Sequence, residues 1–254
     1  MTLISTASRF ESVLVVGAHP DDEVLGCGGT IARLSQEGAS VHIALMADGI
    51  RARHLTYVEG DIQDELARRR EGARVSAAIL GAQSVEFNDF PDNRLDSVDL
   101  LDLVRAVEAL IARHRPSIVL THFGSDLNVD HRRVHEAVVT ACRPQPGQPV
   151  NTVLFFETAS NTEWQMPSRG EIFAPTWFID ITSHVQTKRA ALEAYATEMR
   201  SWPHARSYES LEHLGRWRGA TIGVQAAEAF VLGRHLMIES TSRSLLPIGT
   251  VLEK

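Results

Sequence analysis

The stretch from Val13 to Glu37, VLVVGAHPDDEVLGCGGTIARLSQE, decides the fold. Its first five residues, VLVVG, are a short apolar run of the kind that forms a strand buried on both faces of a parallel sheet. The polar turn AHPDDE follows, and the segment from about residue 24 to residue 37 predicts a helix. Strand, tight turn and helix form the first part of a βαβ unit, so this stretch favours an α/β fold with a parallel sheet.

The same alternation of short apolar runs and amphipathic stretches continues as far as residue 142. Further strands are predicted at residues 41–46, 84–87 and 117–121, and helices at about residues 61–80, 98–114 and 130–142. A loop rich in Pro and Asp, residues 89–96, precedes the second of these helices. In that helix the apolar side chains recur at helical spacing, at Leu101, Val104, Val107, Leu110 and Ile111.

The regular pattern loosens after a breaker that contains Pro144, Pro146, Gly147 and Pro149. Strands are predicted at residues 152–157 and 177–181, and a helix at about residues 183–199. Residues 200–219 hold several arginines and two tryptophans, which is consistent either with a functional loop or with a solvated surface segment. We predict one domain over residues 1–254, with a less regular C-terminal elaboration from about residue 150.

Composition excludes several classes of protein. A chain of 254 residues with 44% hydrophobic residues can bury one substantial core. The net charge of −7 argues against nucleic-acid binding, and Cys27 and Cys142 are too few for a disulfide framework. No apolar run is long enough to span a bilayer, and residues 1–10 lack the basic start and apolar stretch of a signal peptide. We therefore expect a soluble, cytoplasmic protein.

A cluster of ionisable side chains lies where the first predicted strand ends. The turn at residues 18–23 contains His19, Asp21 and Asp22, and ligands of open α/β sheets bind at the carboxyl ends of strands. A histidine followed three residues later by a carboxylate, in a tight turn with a proline, can direct two ligands at one divalent cation. The alternative is that Asp21 or Asp22 only caps the following helix, whose first turn favours acidic residues.

A second cluster, DLNVDH at residues 126–131, also lies between a predicted strand and a predicted helix. Because the carboxyl ends of parallel strands share one edge of a sheet, the two clusters can face the same crevice. Zinc in hydrolases usually keeps three protein ligands and a water, and His19, Asp22 and His131 complete such a set. Taken alone, His131 is typical of an exposed residue in a first helical turn, and only its pairing with the first cluster favours a metal ligand.

Five stretches resemble the LmbE-like (PIG-L) family of zinc-dependent N-acetylglucosamine-type deacetylases. They are GAHPDDEVLGCGGTIARL at residues 17–34, DNRLDS at 92–97, DLNVDHRRVHEAV at 126–138, FFETASNTEW at 155–164 and GVQAAEAFVLGR at 223–234. The resemblance implies a Rossmann-like three-layer fold with a mostly parallel sheet, and hydrolysis of an acetamido sugar attached to an alcohol, a lipid, a nucleotide or another sugar. It assigns the zinc ligands to His19, Asp22 and His131, and the general base to Asp21.

Amide hydrolysis needs a nucleophile, stabilisation of a tetrahedral oxyanion and a proton for the leaving amine. Zinc serves the first two needs, because it lowers the pKa of bound water toward about 7 and polarises the carbonyl. Asp21 stands between two ligands, so it is placed to take the proton of the water and to return it to the sugar nitrogen. Asp130 is predicted to accept a hydrogen bond that orients its neighbours, a role compatible with capping a helix.

Asn128 departs from the family pattern, in which many members carry a histidine three residues before the ligand histidine. Asparagine can donate a hydrogen bond to an oxyanion, but it cannot transfer a proton at neutral pH. Asp21 is therefore the predicted acid as well as the predicted base. His122, at the end of the fourth predicted strand, is the alternative proton donor or else a satisfied strand-end histidine. His135 follows His131 by one helical turn, and the stronger ligand set excludes it.

Substrate contacts are assigned less directly than the metal site. The resemblance suggests that Arg94 binds sugar hydroxyls or a phosphate, whereas an isolated arginine is usually a surface ion-pair residue. The loops at residues 51–60 and 157–170 are expected to recognise the rest of the sugar. Trp164 in the second loop either stacks on a sugar ring or fills the core. Other divalent metals are expected to substitute for zinc, and related proteins often form closed homo-oligomers.

Two non-enzymatic alternatives stay open. A nucleotide-binding Rossmann-like protein has its only support in Gly26, Gly28 and Gly29, but Ile31 stands where the last glycine of the G-x-G-x-x-G pattern would be. The acidic turn before these glycines would also repel a pyrophosphate. The second alternative is a metal-binding protein without catalysis, and the presence of Asp21 weighs against it.

Overall fold

Seven strands form one mixed sheet in the computed structural model, which describes residues 12–50, 59–167 and 170–237. The strands are β1 Ser12–Gly17, β2 Ser40–Ala47, β3 Ser84–Phe90, β4 Ile118–His122, β5 Thr152–Phe156, β6 Trp177–Asp180 and β7 Ala227–His235. The helices are α1 Asp22–Gln36, α2 Glu59–Leu80, α3 Leu100–His114, α4 Val129–Ala141, α5 Val185–Glu193 and α6 Tyr208–Ile222. The predicted α/β class is confirmed.

The strand order in the sheet is β3-β2-β1-β4-β5-β7-β6. Strands β1 to β5 are parallel, and β7 runs antiparallel to both β5 and β6. The chain adds β2 and β3 on one side of β1, and then β4 and β5 on the other side. The order therefore reverses between β1 and β4, and ligands of open α/β sheets bind at such a switch point.

Helices cover both faces of the sheet and bury two apolar cores. On one face α1, α2 and α5 pack on the sheet, and Leu211 of α6 joins the same core. On the other face α3 and α4 pack on β1, β2 and β4. The central strands carry apolar side chains on both sides, as the run VLVV in β1 predicts, because both of their faces are covered. No helix within the described ranges has the length and apolar character needed to cross a bilayer.

The predicted elements of the first 142 residues all occur, with boundary shifts of a few residues. The largest shift is in β3, which extends to Phe90 into the predicted loop. In the C-terminal part the prediction of a helix at residues 183–199 is too long. A 3-10 turn at Thr182–His184 precedes α5, and the helix ends at Glu193.

Residues 200–219, for which the sequence left a functional loop and a solvated surface segment open, include the beginning of α6 at Tyr208, a helix that the sequence did not predict. Trp217 points outward with 68% of its surface exposed, so the helix lacks the clear apolar stripe that predicts one. Gly219 permits a close approach to the backbone just before β7, since a Cβ there would lie 2.7 Å from Ala226 Cα. Gly223, at φ 80°, ends the helix in the left-handed conformation.

Strand β7 was not predicted either, and its side chains explain a kink in α1. Cys27 has non-helical dihedral angles inside that helix, so the following amides need other acceptors. The Glu228 carboxylate of β7 accepts from Gly29 N at 2.9 Å and from Thr30 N at 2.7 Å. Lys188 Nζ of α5 lies 2.6 Å from the same carboxylate. A glutamate in a strand thus completes a helix almost 200 positions away.

The glycines of α1 are explained by packing rather than by a nucleotide. A Cβ on Gly26 would lie 2.3 Å from the Phe156 ring, and a Cβ on Gly29 would lie 2.7 Å from Ile181 Cδ1. These glycines therefore let α1 pack closely against the strands. The nucleotide-binding alternative loses its only support.

Candidate metal centre and active site

The turn between β1 and α1 is held by the neighbouring strand β4. Ala18 N donates to His122 Nε2 at 2.9 Å, and His19 N donates to Asp22 Oδ2 at 2.7 Å. Asp21 has φ 120°, in the region that side chains rarely adopt. One of the two hydrogen bonds ties the turn to β4, and the other lies within the turn itself. Together they hold His19 and Asp22 near the end of β4.

The predicted ligands His19, Asp22 and His131 converge. Asp22 Oδ2 lies 3.3 Å from His19 Nδ1 and 3.3 Å from His131 Nε2. One ligand atom from each residue lies within 4.8 Å of the other two, and all three residues are buried. His131 lies in the first turn of α4 and is fully buried, so its alternative interpretation as an exposed first-turn residue is wrong.

The buried polar atoms of this cluster fit a metal ion. Asp22 Oδ1 and both ring nitrogens of His131 are buried without a well-aligned hydrogen bond. Buried groups of this kind usually have partners, because leaving them unpaired costs about 1–3 kcal/mol each. Two imidazole nitrogens and one carboxylate form the donor set of catalytic zinc sites with three protein ligands. The residues therefore form a site that can hold a divalent cation.

Two further carboxylates contact the predicted ligand histidines on the ring nitrogens that do not face Asp22. Asp126 Oδ1 lies 3.1 Å from His131 Nδ1, and Asp130 Oδ2 lies 3.0 Å from His19 Nε2. Such carboxylate contacts fix the ring orientation and make the ligand nitrogen more basic. The role of Asp126 was missed in the sequence, although the residue opens the DLNVDH cluster. Asp126 is itself held by Thr162, whose Oγ1 donates to Oδ2 at 2.7 Å.

His19, Asp92 and Asp130 form a second group that is compatible with a cation. Asp130, however, already accepts from two backbone amides, those of Asn93 at 2.7 Å and Leu95 at 3.0 Å. With Nδ1 of His19 facing Asp22, the remaining Nε2–H is a donor that the two carboxylates satisfy. We therefore interpret Asp92 and Asp130 as residues that orient His19 for the site formed by His19, Asp22 and His131, and not as a second cation site.

The charged surroundings raise the pKa values of His19 and His131, the two predicted ligand histidines. Burial lowers the pKa of His19, but contacts with Asp130, Asp22 and Asp92 outweigh burial and hold this pKa well above its usual range. Burial also lowers the pKa of His131. The negative charges of Asp22 and Asp126 outweigh burial and raise this pKa to about 9. A cation at this site would replace those protons, because a metal ligand must be deprotonated.

Asp21 lies beside the ligands in a different environment. Its Oδ2 accepts from Arg206 Nη1 at 3.0 Å, and Arg69 Nη2 is 4.0 Å away. Burial raises the pKa of Asp21 to about 6, while Arg206 opposes the shift and the Asp22 charge adds to it. A carboxylate with a pKa in this range can exchange a proton near neutral pH. The sequence pattern does not reveal this contact, because Arg206 lies 185 positions from Asp21.

Glu23 supports the same turn from the side of α5. Glu23 Oε2 accepts from Asp21 N at 3.1 Å, and Tyr195 Oη donates to Glu23 Oε1 at 2.7 Å. Burial raises the pKa of Glu23 to about 8, against the hydrogen bond from Tyr195, which lowers it. The Glu23 carboxyl group therefore helps to hold the unusual backbone of Asp21.

The remaining predicted site residues meet at the start of α4. Asn128 caps this helix, with Oδ1 accepting from Asp130 N at 2.8 Å, and its Nδ2 donates to Asn93 Oδ1 at 3.3 Å. Arg94 lies between the two residues whose amides bind Asp130, and its side chain is exposed. Among the described residues, no ion pair or hydrogen bond holds its guanidinium group. The loop carrying Arg94 is thus tied to the metal cluster through Asp130, while Arg94 itself is available to a ligand.

His122 and His135 are structural in this arrangement. His122 is fully buried, and burial together with the charge of His131 lowers its pKa to about 4. The ring is therefore neutral, as an acceptor for Ala18 N must be, and its Nδ1 pairs with Thr158 Oγ1 at 3.2 Å. His135 points away from the cluster, with Nδ1 2.9 Å from His122 O. The loop at residues 51–60, expected to contact substrate, lies outside the described side chains, as do residues 168–169.

Comparison with known proteins identifies relatives along most of the chain. Residues 14–142 match the family PIG-L, described as GlcNAc-PI de-N-acetylase. The chain is 32% identical over 181 residues to an uncharacterized deacetylase, YaiS, of Escherichia coli K12, covering 69% of this chain and 89% of the relative. It is 28% identical over 272 residues to 1D-myo-inositol 2-acetamido-2-deoxy-alpha-D-glucopyranoside deacetylase of Rhodococcus jostii RHA1, covering 87% and 91%.

The relatives also include a protein named for another reaction. The chain is 31% identical over 202 residues to 4-oxalmesaconate hydratase of Pseudomonas putida KT2440, covering 76% of each protein. Among solved structures, N,N'-diacetylchitobiose deacetylase from Pyrococcus horikoshii has a TM-score of 0.72 at 20% identity, covering 92% of this chain and 88% of that one. That likeness is one of fold. Because the matched region, residues 14–142, includes β1 to β4, the HPDD turn and the helix that carries His131, the chain belongs to the PIG-L (LmbE-like) family.

Proposed function

We propose that this protein is a zinc-dependent hydrolase that removes the N-acetyl group from an amino sugar or a conjugate of one. The observation that carries the proposal is the convergence of His19, Asp22 and His131 beside Asp21, at the switch point of the sheet. Deacetylases of acetamido sugars among the relatives support the substrate class. The presence of Asp21 beside the cluster favours an enzyme over a metal-binding protein without catalysis.

The metal ligands and the general base have separate tasks in this proposal. When bound, zinc supplies a Lewis acid that polarises the acetyl carbonyl and acidifies a water molecule. His19, Asp22 and His131 hold the cation, and Asp126 and Asp130 keep the two rings in place. Asp21 takes a proton from the attacking water.

Proton delivery to the leaving nitrogen falls to Asp21 as well. His122 is buried behind Asp22 and paired on both ring nitrogens, so it has no path to the substrate. Asn128 Oδ1 accepts the hydrogen bond that caps the helix, and Asn128 Nδ2 donates one hydrogen to Asn93. The second Nδ2 hydrogen can be donated to the substrate. That donor stabilises the oxyanion in our proposal, and Asp21 returns the proton it has taken.

The sugar is bound at the rim of the crevice. Arg94 has an exposed guanidinium group on a loop anchored by Asp130, so it can meet hydroxyls or an anionic group of the substrate. Trp164 is 48% exposed and contacts His204 edge to face, with ring centroids 5.4 Å apart. Of the two alternatives for Trp164, its exposure contradicts the one in which it fills the core, and we propose that it stacks on a sugar ring.

The test is acetate release from a panel of N-acetylated sugars and their glycosides. Purified protein should carry about one zinc per chain, lose activity when the metal is chelated and regain it when zinc or another divalent ion is restored. Absence of transition metal in elemental analysis, together with activity that chelators do not change, would refute the metal site. Absence of acetate release across the panel by the zinc-loaded protein would refute the substrate class.

Similarity to 4-oxalmesaconate hydratase supports hydration of an unsaturated carboxylate as the second candidate. The same panel separates the two reactions, because hydration consumes a carbon–carbon double bond and releases no acetate. Turnover of 4-oxalmesaconate without acetate release from any sugar would favour the hydratase.

A further inference from the structure

The described residues hold the carboxylate of Asp21 through its Oδ2 atom. Its Oδ2 accepts from Arg206 Nη1 at 3.0 Å, with Arg69 Nη2 at 4.0 Å on the same oxygen. Among the residues that the structure describes, no hydrogen bond reaches Oδ1. A general base needs one oxygen free to exchange a proton, and the other must be fixed for the free one to point in a constant direction.

The Arg206 side chain is held by other residues besides Asp21. Its Nε donates to Ser160 Oγ at 2.7 Å and faces Ala159 O at 3.4 Å. Its Nη2 lies 3.1 Å from the side-chain oxygen of Asn161 when that amide is oriented to satisfy both of its polar atoms. The guanidinium plane is therefore set by the loop after β5, and one Nη1 hydrogen remains directed at the carboxylate.

The backbone around Arg206 is also constrained. Arg206 N donates to His204 Nδ1 at 3.0 Å, and Arg206 O accepts from Arg200 N at 3.2 Å. The side chain is only 19% exposed. Such a side chain has little rotamer entropy left to lose, so it can hold a carboxylate more firmly than a flexible surface arginine does.

Arg69, in α2, also contacts the turn between β1 and α1, but its main contacts are with other groups than the Asp21 carboxylate. Its Nη2 donates to Pro20 O at 3.2 Å, and Nη1 pairs with the Glu198 carboxylate. Both contacts hold the backbone and the helix α2 in place rather than the Asp21 side chain. The direct contact with the Asp21 carboxylate thus belongs to Arg206.

We propose that Arg206 is a positioning residue for the reaction, which fixes the Asp21 carboxylate by Oδ2 so that Oδ1 faces the reacting water. The proposal rests on the function proposed above, in which Asp21 is the acid and base. Arg206 contributes no metal ligand, so its effect should appear in turnover and not in metal content. A purely structural ion pair would instead affect stability and leave the chemistry of the folded enzyme unchanged.

The kinetic test compares Arg206→Ala with wild type and with Arg216→Ala. Arg216 is an exposed arginine of α6 whose ion pair, within the described part of the chain, is with Glu212. Arg206→Ala should lower kcat by about 10- to 100-fold, the effect of misplacing a catalytic group by about an ångström, and leave KM and zinc content near wild type. Arg206→Lys should recover part of the loss. Arg216→Ala should match wild type. A wild-type kcat in folded, zinc-loaded Arg206→Ala would overturn the proposal.

A double variant separates positioning from a general effect on the protein. If Arg206 acts through Asp21, then adding Arg206→Ala to Asp21→Asn should slow turnover by less than about twofold, because the group that is positioned has already been lost. A further loss equal to that of Arg206→Ala alone would overturn the proposal.

A crystal structure provides a readout that does not depend on activity. In Arg206→Ala, or in Arg206→Met if the alanine variant does not fold, we expect the Asp21 side chain to leave its orientation by a rotamer step of about 120°. An unchanged Asp21 carboxylate in that structure would overturn the inference. If wild-type protein releases no acetate from any sugar, the proposed function fails, and the crystal structure still decides whether Arg206 positions Asp21.

Discussion

Replacement of Glu23 by glutamine should change how the stability of this protein depends on pH. The Glu23 carboxyl group is buried between Tyr195 Oη and Asp21 N, and burial raises its pKa from 4.5 to about 8. The unfolded chain releases this proton near pH 4.5, whereas the folded protein keeps it up to about pH 8. The stability that the proton contributes is therefore fully present below pH 4.5, and it is lost progressively as the pH rises to 8.

The size of the loss follows from the width of that window. Each pH unit between the two pKa values costs about 1.36 kcal/mol, so wild type at pH 7 should have lost on the order of 3 kcal/mol relative to pH 4.5 through this group. Glu23→Gln has no proton to lose. Its amide can accept from Asp21 N and donate to Tyr195 Oη, so the packing of the turn is kept.

The assay is denaturant unfolding of both proteins from pH 4.5 to pH 8, in excess chelator so that metal binding does not contribute. We expect the stability of Glu23→Gln to rise relative to wild type by about 3 kcal/mol between pH 4.5 and 7. Glu37→Gln, at an exposed glutamate just after α1, is the matched control and should run parallel to wild type. Parallel curves for Glu23→Gln and wild type would refute the reasoning.

Three further predictions concern the metal, the substrate and the core. Asp126→Ala should weaken zinc affinity by about 10- to 100-fold, since His131 loses the carboxylate that orients it; competition with a chromophoric chelator measures this, and unchanged affinity contradicts it. Arg94→Ala should raise KM more than it lowers kcat if Arg94 binds the ground-state sugar, whereas wild-type kinetics would show that Arg94 does not bind the substrate. Gly26→Ala should lower the free energy of unfolding by about 1–3 kcal/mol, because the added methyl group overlaps the Phe156 ring. A Tm equal to that of wild type would contradict this, since it would mean that α1 can shift to accommodate the methyl group without loss of stability.

The parts of the site that the sequence predicts are those encoded locally. His19 and Asp22 lie in one turn after a strand whose apolar run leaves little doubt about its place in a parallel sheet. His131 could be joined to them because it follows another strand of the same kind, and parallel strands end at one edge. The resemblance to a family then gave these three residues their roles.

The parts that were missed depend on contacts between distant segments. Arg206 meets Asp21 only because a loop near the end of the chain folds back over the first turn. Strand β7 contains Glu228 and Gly233, which weaken a strand pattern, and the need for Glu228 arises only from the kink in α1. Local pattern cannot reveal such a need, because the unpaired amides exist only in the folded helix.

The most direct test of the central claim measures bound zinc and turnover together in Asp21→Asn and Asp22→Ala. Asp22→Ala removes a charged ligand, so we expect zinc to be lost and activity with it. Asp21→Asn keeps all three ligands, so zinc should stay bound at the wild-type ratio while turnover falls by about 10²- to 10⁴-fold, the usual contribution of a general acid or base. The acidic limb of kcat/KM, expected at or below pH 6 from the pKa of Asp21, should change in the same variant. Loss of zinc in Asp21→Asn, or hydrolysis close to the wild-type rate, would contradict the assignment of Asp21 as the acid and base.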